Sequence, residues 1–370
     1  MTVFLLIVFG FYFLFLFLVM YGWERALAQE VPPSAYFHSI AVIIPVRNEE
    51  ANIQRLMGSL QSLHYPKEKL EMILVNDHST DNTRLLLSEW VSPQIKIINL
   101  EKDVFGKKPA ITRGVESTVA EIIVTTDADC IYHPDWLQSV NLFFSNRQVQ
   151  MAVGPVAIDQ KKSKSFFATL QAIEFSSLIG SGASLLQFGI PAMANGANLA
   201  FRREAFVSVK GYEGNLHIAS GDDEYLMRKI FQAFPAGVVF NNRTEAVTGT
   251  LPQPDLSAFF HQRFRWAGKW KRQTSQKVKW IAVLVFLFQL SFLLSMYLAL
   301  GHNLLLARVL LLAKAGLEGI FLWRVCQFLG VRFSLLPFAL LQFVYPVYVV
   351  FTAIASLFFG FDWKGRKSRI

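Results

Sequence analysis

The chain has 370 residues, 53% of them hydrophobic, and a formal net charge of +9. So high an apolar share excludes an ordinary soluble enzyme, and its two cysteines, Cys130 and Cys326, lie too far apart in unlike surroundings to make a disulfide framework or a CxxC metal site. The basic residues crowd beside the apolar blocks, in Arg263 to Lys279 and Lys364 to Arg369, which points to anionic lipid head groups and away from nucleic acid.

The uncharged run Val3 to Tyr21 has the length of a membrane-crossing helix, and interfacial Trp23 and then Arg25 follow it. It reads as a signal anchor over residues 1–23. A cleaved secretory signal, suggested by Ala26-Leu27-Ala28, would need the basic n-region that is missing here. With no Lys or Arg before it and Arg25 after it, the segment leaves the next domain in the cytoplasm, at the inner face of a cell membrane that the chain crosses several times.

Residues 38–254 have globular composition and are long enough to bury a core. Short β-branched runs at Ala41 to Pro45, Met72 to Asn76, Ile95 to Asn99 and Ile122 to Asp127 alternate with helical patterns at Glu49 to Leu63, Asp81 to Trp90 and Pro109 to Ser117. This alternation predicts βαβ units and an open α/β sheet, with ligands at the carboxyl ends of its strands. Arg47-Asn48-Glu49, Asn76-Asp77 and Asp127-Ala128-Asp129 fall at those ends.

Residues 255–279 mix Phe259, Phe260, Phe264, Trp266 and Trp270 with Arg263, Arg265, Lys269, Lys271, Arg272, Lys277 and Lys279, the pattern of a basic amphipathic helix on a membrane surface. About three membrane helices follow within residues 280–362: Ile281 to Leu300, Leu304 to Trp323 and Leu335 to Phe361. The middle one carries Arg308, Lys314 and Glu318, costly in lipid unless paired, and Lys314 and Glu318 stand one helical turn apart. Three spans would leave the basic tail, 363–370, outside, so the middle segment is also read as interfacial or re-entrant.

In an extended segment Asp127 and Asp129 face one side, where two carboxylates and a substrate's phosphates suit a hard divalent cation. Such an ion neutralises charge on a departing nucleoside diphosphate. Asp222 and Asp223 precede an apolar run and read either as a helix cap or as a base. Arg265 offers a planar fork for phosphate oxygens, and Trp266 a flat apolar face. His78, His217 and His261 share no metal-ligand spacing and receive no role.

Several motifs follow one another in order: Pro45-Val46-Arg47-Asn48-Glu49, Val75-Asn76-Asp77-His78-Ser79, Gly106-Lys107-Lys108-Pro109, the Asp-x-Asp, Asn195-Gly196-Ala197-Asn198, Gly221-Asp222-Asp223-Glu224 and Gln262-Arg263-Phe264-Arg265-Trp266. Over about residues 40–270 the chain resembles glycosyltransferase family 2, the GT-A group that includes cellulose, chitin and hyaluronan synthases and ceramide glucosyltransferase. The resemblance implies a GT-A domain, a Rossmann-like open mixed sheet, with flanking transmembrane helices. It implies donor contacts from Pro45, Arg47, Glu49, Asp77, Lys107, Asp127 and Asp129, with Asp77 at the base and Asp127 and Asp129 on Mg²⁺ or Mn²⁺. Asp223, with Asp222 beside it, matches the catalytic base. Asn195, Gly196, Gln262, Arg265 and Trp266 match the acceptor and diphosphate side. Asn76 and Thr112 depart from an aspartate and an asparagine frequent in the family, which bears on the choice of nucleotide.

The implied activity is inverting transfer from a UDP- or GDP-sugar to a membrane-presented lipid or saccharide hydroxyl. Gln-x-x-Arg-Trp favours extension of a β-linked polysaccharide, and single transfer to a glycolipid is the alternative. A catalytically silent scaffold would be marked by loss of acidic residues, and Asp77, Asp129 and Asp223 are all present.

Overall fold

The computed structural model describes residues 2–160, 165–216, 218, 221–268, 275–301, 305–355, 361–363 and 366–368. The chain runs α1 (Thr2–Leu27), β1 (Ile40–Val46), α2 (Ile53–Gln61), β2 (Leu70–Asn76), α3 (Thr83–Ser88), β3 (Ile95–Asn99), α4 (Lys107–Glu116), β4 (Ile122–Thr125) and α5 (Trp136–Phe144). Then come β5 (Met151–Val153), β6 (Val156–Ile158), α6 (Phe166–Leu186), β7 (Leu199–Arg202), α7 (Arg203–Ser208), α8 (Asp222–Ala233), β8 (Val238–Phe240) and β9 (Thr248–Thr250). The last elements are α9 (Leu256–Gly268), α10 (Gln276–Gly301), α11 (Leu305–Leu329), α12 (Leu335–Ala355) and the strands β10 (Phe361–Trp363) and β11 (Arg366–Ser368). They form two compact units: an α/β unit of Leu27–Ala157 and Pro191–Leu251, and a helical unit of Met1–Ala26, Ile158–Ile190 and Pro252–Ile370.

The α/β unit is built on a seven-stranded sheet in the order β3-β2-β1-β4-β7-β5-β8. The pairs β1–β2, β2–β3, β1–β4 and β5–β8 are parallel, and β7 is antiparallel to β4 and β5. β1 is apolar throughout and almost wholly buried, as a central strand of a sheet covered on both faces must be. The sheet's register places the loops that follow it. Val46 pairs with Asn76, so β1 and β2 end level and Arg47 and Asp77 emerge side by side. β4 ends opposite Ile43, three residues before the end of β1. Pro45 therefore lies past the last residue that pairs with β4, where its missing N–H takes no bond from that ladder.

Within the helical unit α1, α10 and α12 are long and apolar enough to cross a membrane, by length and composition. α11 has 25 residues but carries Arg308, Lys314, Glu318 and Arg324. Those charges find partners inside the unit. The Lys314 ammonium donates to Glu318 at 2.8 Å and to Gln342 of α12 at 2.9 Å, so the one-turn spacing is closed by an ion pair. Gln342 and Tyr12 also donate to Glu318. Arg308 donates to the Ala299 carbonyl of α10 at 2.9 Å, and Arg324 meets Glu24 of α1 at 3.0 Å. Ion-paired or, for Arg308, hydrogen-bonded in this way, the charges cost less in a water-poor setting than isolated ones.

The sequence pattern did not mark α6. It belongs to the helical unit, starts on Ser165, whose hydroxyl accepts from Ala168 N at 3.1 Å, and buries Gln171, Glu174, Ser176 and Ser184. Its polar buried face blurs the apolar period on which a sequence reading depends.

Candidate active site

The first part of the site is tied together by backbone groups. Arg47 donates to the carbonyls of Asp77 at 2.8 Å and His78 at 3.3 Å, bracing the loop after β2 from the loop after β1. Asn48, in the left-handed region at φ 49°, accepts from Thr80 N at 2.8 Å, and Glu49 N donates to the Thr83 hydroxyl at 2.8 Å. These bonds delay the helix: α2 begins at Ile53, four residues after the predicted Glu49. Asp77 is buried, its Oδ2 accepting from Gly106 N at 3.0 Å and its Oδ1 lying 3.2 Å from His78 Nδ1. Asn76 spans two loops, donating to Asn99 at 2.8 Å and accepting from Ser79 N at 3.1 Å.

The Asp-x-Asp departs from its predicted geometry. β4 stops at Thr125, and Asp127 to Cys130 form a turn closed by Cys130 N on the Asp127 carbonyl at 3.3 Å. Buried Thr126 causes the exit, because its hydroxyl donates to the Ala197 carbonyl at 2.8 Å. The two carboxylates thus share a turn, and the alternation of a strand is not what relates them. Asp127 accepts from Lys107 Nζ at 2.6 Å, and the same ammonium lies 3.4 Å from Asp222. Burial alone would pull the Lys107 pKa down, but Asp127 and Asp222 push it above the ordinary lysine value and keep it a cation. Asp129 accepts from Thr250 Oγ1 at 3.1 Å, and Arg55 binds its carbonyl. Burial, then the Asp127 and Glu49 charges, hold the Asp129 carboxyl above the usual aspartate range.

Asn195 and Gly196 precede β7, and Gly196 N donates to Asp223 Oδ2 at 3.1 Å. Asp223 Oδ1 accepts from Glu224 N at 2.8 Å, so backbone amides hold both oxygens of this carboxylate. A β-carbon on Gly196 would stand 2.7 Å from Lys107 Nζ and 2.8 Å from Asp222 Oδ2. Gly196→Ala should therefore push the ammonium and carboxylate apart at a cost of about 1–3 kcal/mol. A lowered melting temperature together with slower transfer checks this; an unchanged melting temperature and rate would refute it. Neither aspartate caps α8, in contrast to the helix-cap reading. The cap is Gly221 at φ 76°, a left-handed conformation that glycine adopts without cost, and Asp222, Asp223 and Glu224 fill the first turn, where the helix dipole favours negative charge.

Gln262, Arg265 and Trp266 are half-buried on α9, in the helical unit. Arg263 between them is buried and ion-paired with Glu174 of α6, so it does not face head groups as the amphipathic reading expects. Its guanidinium donates to Gln262 at 2.5 Å and lies 4.2 Å from the centre of the Trp266 ring and 4.5 Å from that of Phe259. Lys269, Trp270, Lys271 and Arg272, with His217 and Ser220, lie outside the described residues.

In the α/β unit a chain of contacts thus runs from Asp77 through Gly106 and Lys107 to Asp127 and Asp222, and through Gly196 to Asp223. Sequence reasoning missed His78, Phe105, Arg55 and Thr250; Phe105 and His78 at least flank motif residues. Among the described residues no group of three or more His, Cys, Asp or Glu forms a ready metal cage. Asp127 and Asp129 with Glu49 nearby still suit a divalent ion, since mutually repelling acids, one with its pKa raised by burial and like charge, are what a cation relieves.

Residues 41–209 match the family model for glycosyl transferase family 2. The chain is 27% identical over 254 residues to a beta-monoglucosyldiacylglycerol synthase of Nostoc sp., covering 67% of this chain and 52% of that protein. It is 29% identical over 143 residues to a poly-beta-1,6-N-acetyl-D-glucosamine synthase of Staphylococcus epidermidis, covering 38% of this chain and 34% of that one. The matches span about half or less of these curated relatives' length. A mannosyltransferase from Pyrobaculum calidifontis, solved with GDP-Man and Mn²⁺, shares the fold at 18% identity and TM-score 0.57, covering 96% of this chain and 99% of that one.

Proposed function

Given a chain that carries a glycosyl transferase family 2 domain in a GT-A fold, we propose that it transfers a sugar, with inversion, from a UDP- or GDP-sugar to a hydroxyl presented at the membrane. The observation that carries this reading is Lys107, a half-buried cation between Asp127 and Asp222 at the carboxyl side of the sheet, one residue from the Gly106 amide that holds Asp77. A cation with acids on both sides, beside loops that brace each other through backbone bonds, suits a nucleoside diphosphate.

Asp223 is the proposed base. It removes the proton of the acceptor hydroxyl as that oxygen attacks the anomeric carbon and the nucleoside diphosphate leaves. Direct displacement needs one base and no covalent nucleophile. The amides of Gly196 and Glu224 fix the carboxylate's direction. Arg47 acts by holding the Asp77 and His78 carbonyls, while Pro45 and Glu49 shape the nucleoside side. Asp127 and Asp129 would hold Mg²⁺ or Mn²⁺, which supplies charge neutralisation for the leaving diphosphate. Gln262, Arg265 and Trp266 keep the acceptor-side role that the family motif implies. The α/β unit is assigned to the cytosolic side on the charge bias around α1.

Transfer of a single sugar to a lipid is favoured by the match to a glucosyldiacylglycerol synthase over 67% of the chain. Gln-x-x-Arg-Trp and the poly-N-acetylglucosamine synthase match favour a polymer. Incubating purified protein in lipid with single nucleotide sugars, followed by mass analysis, should give a one-sugar lipid or a ladder of oligosaccharides. No product from any UDP- or GDP-sugar would overturn the enzyme reading.

A further inference from the structure

The buried polar side chains of α6 are of two sorts. Ser176 and Ser184 bond back to their own helix, to the Ala172 carbonyl at 2.7 Å and the Gly180 carbonyl at 2.6 Å. Gln171 and Glu174, one turn apart on the same face, reach out of it, and both reach the segment that carries Gln262, Arg265 and Trp266. Gln171 donates to the Gln253 carbonyl at 3.0 Å and accepts from Gln253 N at 2.9 Å. Glu174 takes the guanidinium of Arg263 with both oxygens, Oε1 accepting from Nε at 3.2 Å and Oε2 from Nη2. Tyr348 of α12 brings its hydroxyl to 3.5 Å from Oε1. Both members of the ion pair are buried.

A buried ion pair is weak evidence for stability, since desolvation offsets most of its attraction. α9 is also docked without it: Phe259 meets Phe167 of α6 at 5.9 Å and Tyr348 at 5.7 Å between ring centres, and Gln171 holds Gln253. What the pair adds is direction. A guanidinium is planar and only donates, so once Glu174 fixes Nε and Nη2 the remaining Nη1 points one way, at Gln262 Oε1, 2.5 Å distant. That decides the Gln262 amide: its oxygen faces the cation and its NH₂ is the end turned away. The same cation lies 4.2 Å from the centre of the Trp266 ring, which Phe175 of α6 flanks at 5.8 Å.

We propose that Glu174 is a positioning residue for a hydroxyl-bearing acceptor, lipid or saccharide. Through Arg263 it sets the donor end of Gln262 and the plane of the Trp266 ring, the polar and the apolar surface that such an acceptor would meet. The assignment rests on the acceptor-side reading above and adds the two residues that hold the motif's side chains in place.

Glu174→Gln, Arg263→Met and the double variant separate placement from stability, in full-length protein in lipid nanodiscs with Mn²⁺. Each single change leaves one buried charge unpaired and should lower the melting temperature, whereas the double leaves none and should recover most of the loss. The acceptor KM, measured with dioleoylglycerol in the nanodisc lipid and with cellobiose in solution, tells which source the site takes. It should rise roughly tenfold in all three variants, the value of one misdirected hydrogen bond, and the double should be no worse than Arg263→Met because both act through one guanidinium. The rate at saturation and the affinity for UDP or GDP should stay within about threefold of the parent. With 5-fluorotryptophan in place of tryptophan, the fluorine resonance that Trp266→Phe removes should move in Glu174→Gln.

An acceptor KM that returns to the parent value along with the melting temperature in the double variant overturns the assignment, as does a Trp266 resonance left in place by Glu174→Gln. If the parent protein binds neither UDP nor GDP, or glycosylates neither acceptor, the transferase reading itself falls, while the fluorine resonance still decides whether Glu174 places Trp266.

Discussion

Asp223→Asn should leave nucleotide binding close to that of the parent while lowering sugar transfer by about 10² to 10⁴, the usual contribution of a placed general base. The carboxylate's surroundings make the substitution informative. Gly196 N and Glu224 N donate to its two oxygens, and an asparagine has one oxygen for two N–H donors. One of those bonds is lost, at a cost of about 1 kcal/mol in stability, so a melting curve must accompany the rate. Asp222→Asn is the contrasting case. Asp222 faces Lys107 at 3.4 Å, and its neutralisation removes a partner of the cation expected at the diphosphate. Its effect should fall on donor affinity first and on the rate at saturation second. A parent-like rate for Asp223→Asn, or loss confined to donor affinity, would move the base elsewhere.

The residues that could be read from sequence were those whose local pattern and tertiary setting agree. β1 and β2 appear at nearly their predicted bounds because almost fully buried parallel strands must be largely apolar along their length, and β3, the partly exposed edge strand, appears at its predicted bounds, Ile95–Asn99. Failures came where a single side chain overrides the pattern. Thr126 turns the chain out of β4, so the Asp-x-Asp lies on a turn. Gly221 takes over the capping position that Asp222 or Asp223 was expected to fill. Arg263 looks like one more cation on a basic face, yet its partner Glu174 is 89 residues earlier, on a helix whose polar buried face hides its period. Such pairings are long-range, and a one-dimensional reading has no access to them.

Removing divalent ions should reduce transfer by about 10³, corresponding to several kcal/mol of lost charge stabilisation on the leaving group, and Mn²⁺ or Mg²⁺ should restore it. The donor set makes a more specific expectation. Among the described residues no three-acid cage exists, and Asp127 is engaged by Lys107 at 2.6 Å, so the protein alone should hold the ion weakly. Phosphate oxygens supply the missing ligands and give Lys107 a further anion besides Asp127 and Asp222, so nucleoside diphosphate should tighten ion binding more than tenfold, and by linkage the ion should tighten the nucleotide by the same factor. Acid should oppose both. Asp129 is held above the usual aspartate range by burial and by the Asp127 and Glu49 charges, and only its ionised form binds a cation. On acidification the ion concentration needed for half-maximal transfer should therefore begin to rise at a higher pH than an ordinary aspartate would dictate. Ion affinity that is the same with and without nucleotide, or full activity in chelator, would remove the ion from this site and leave Lys107 as the counter-charge for the departing diphosphate.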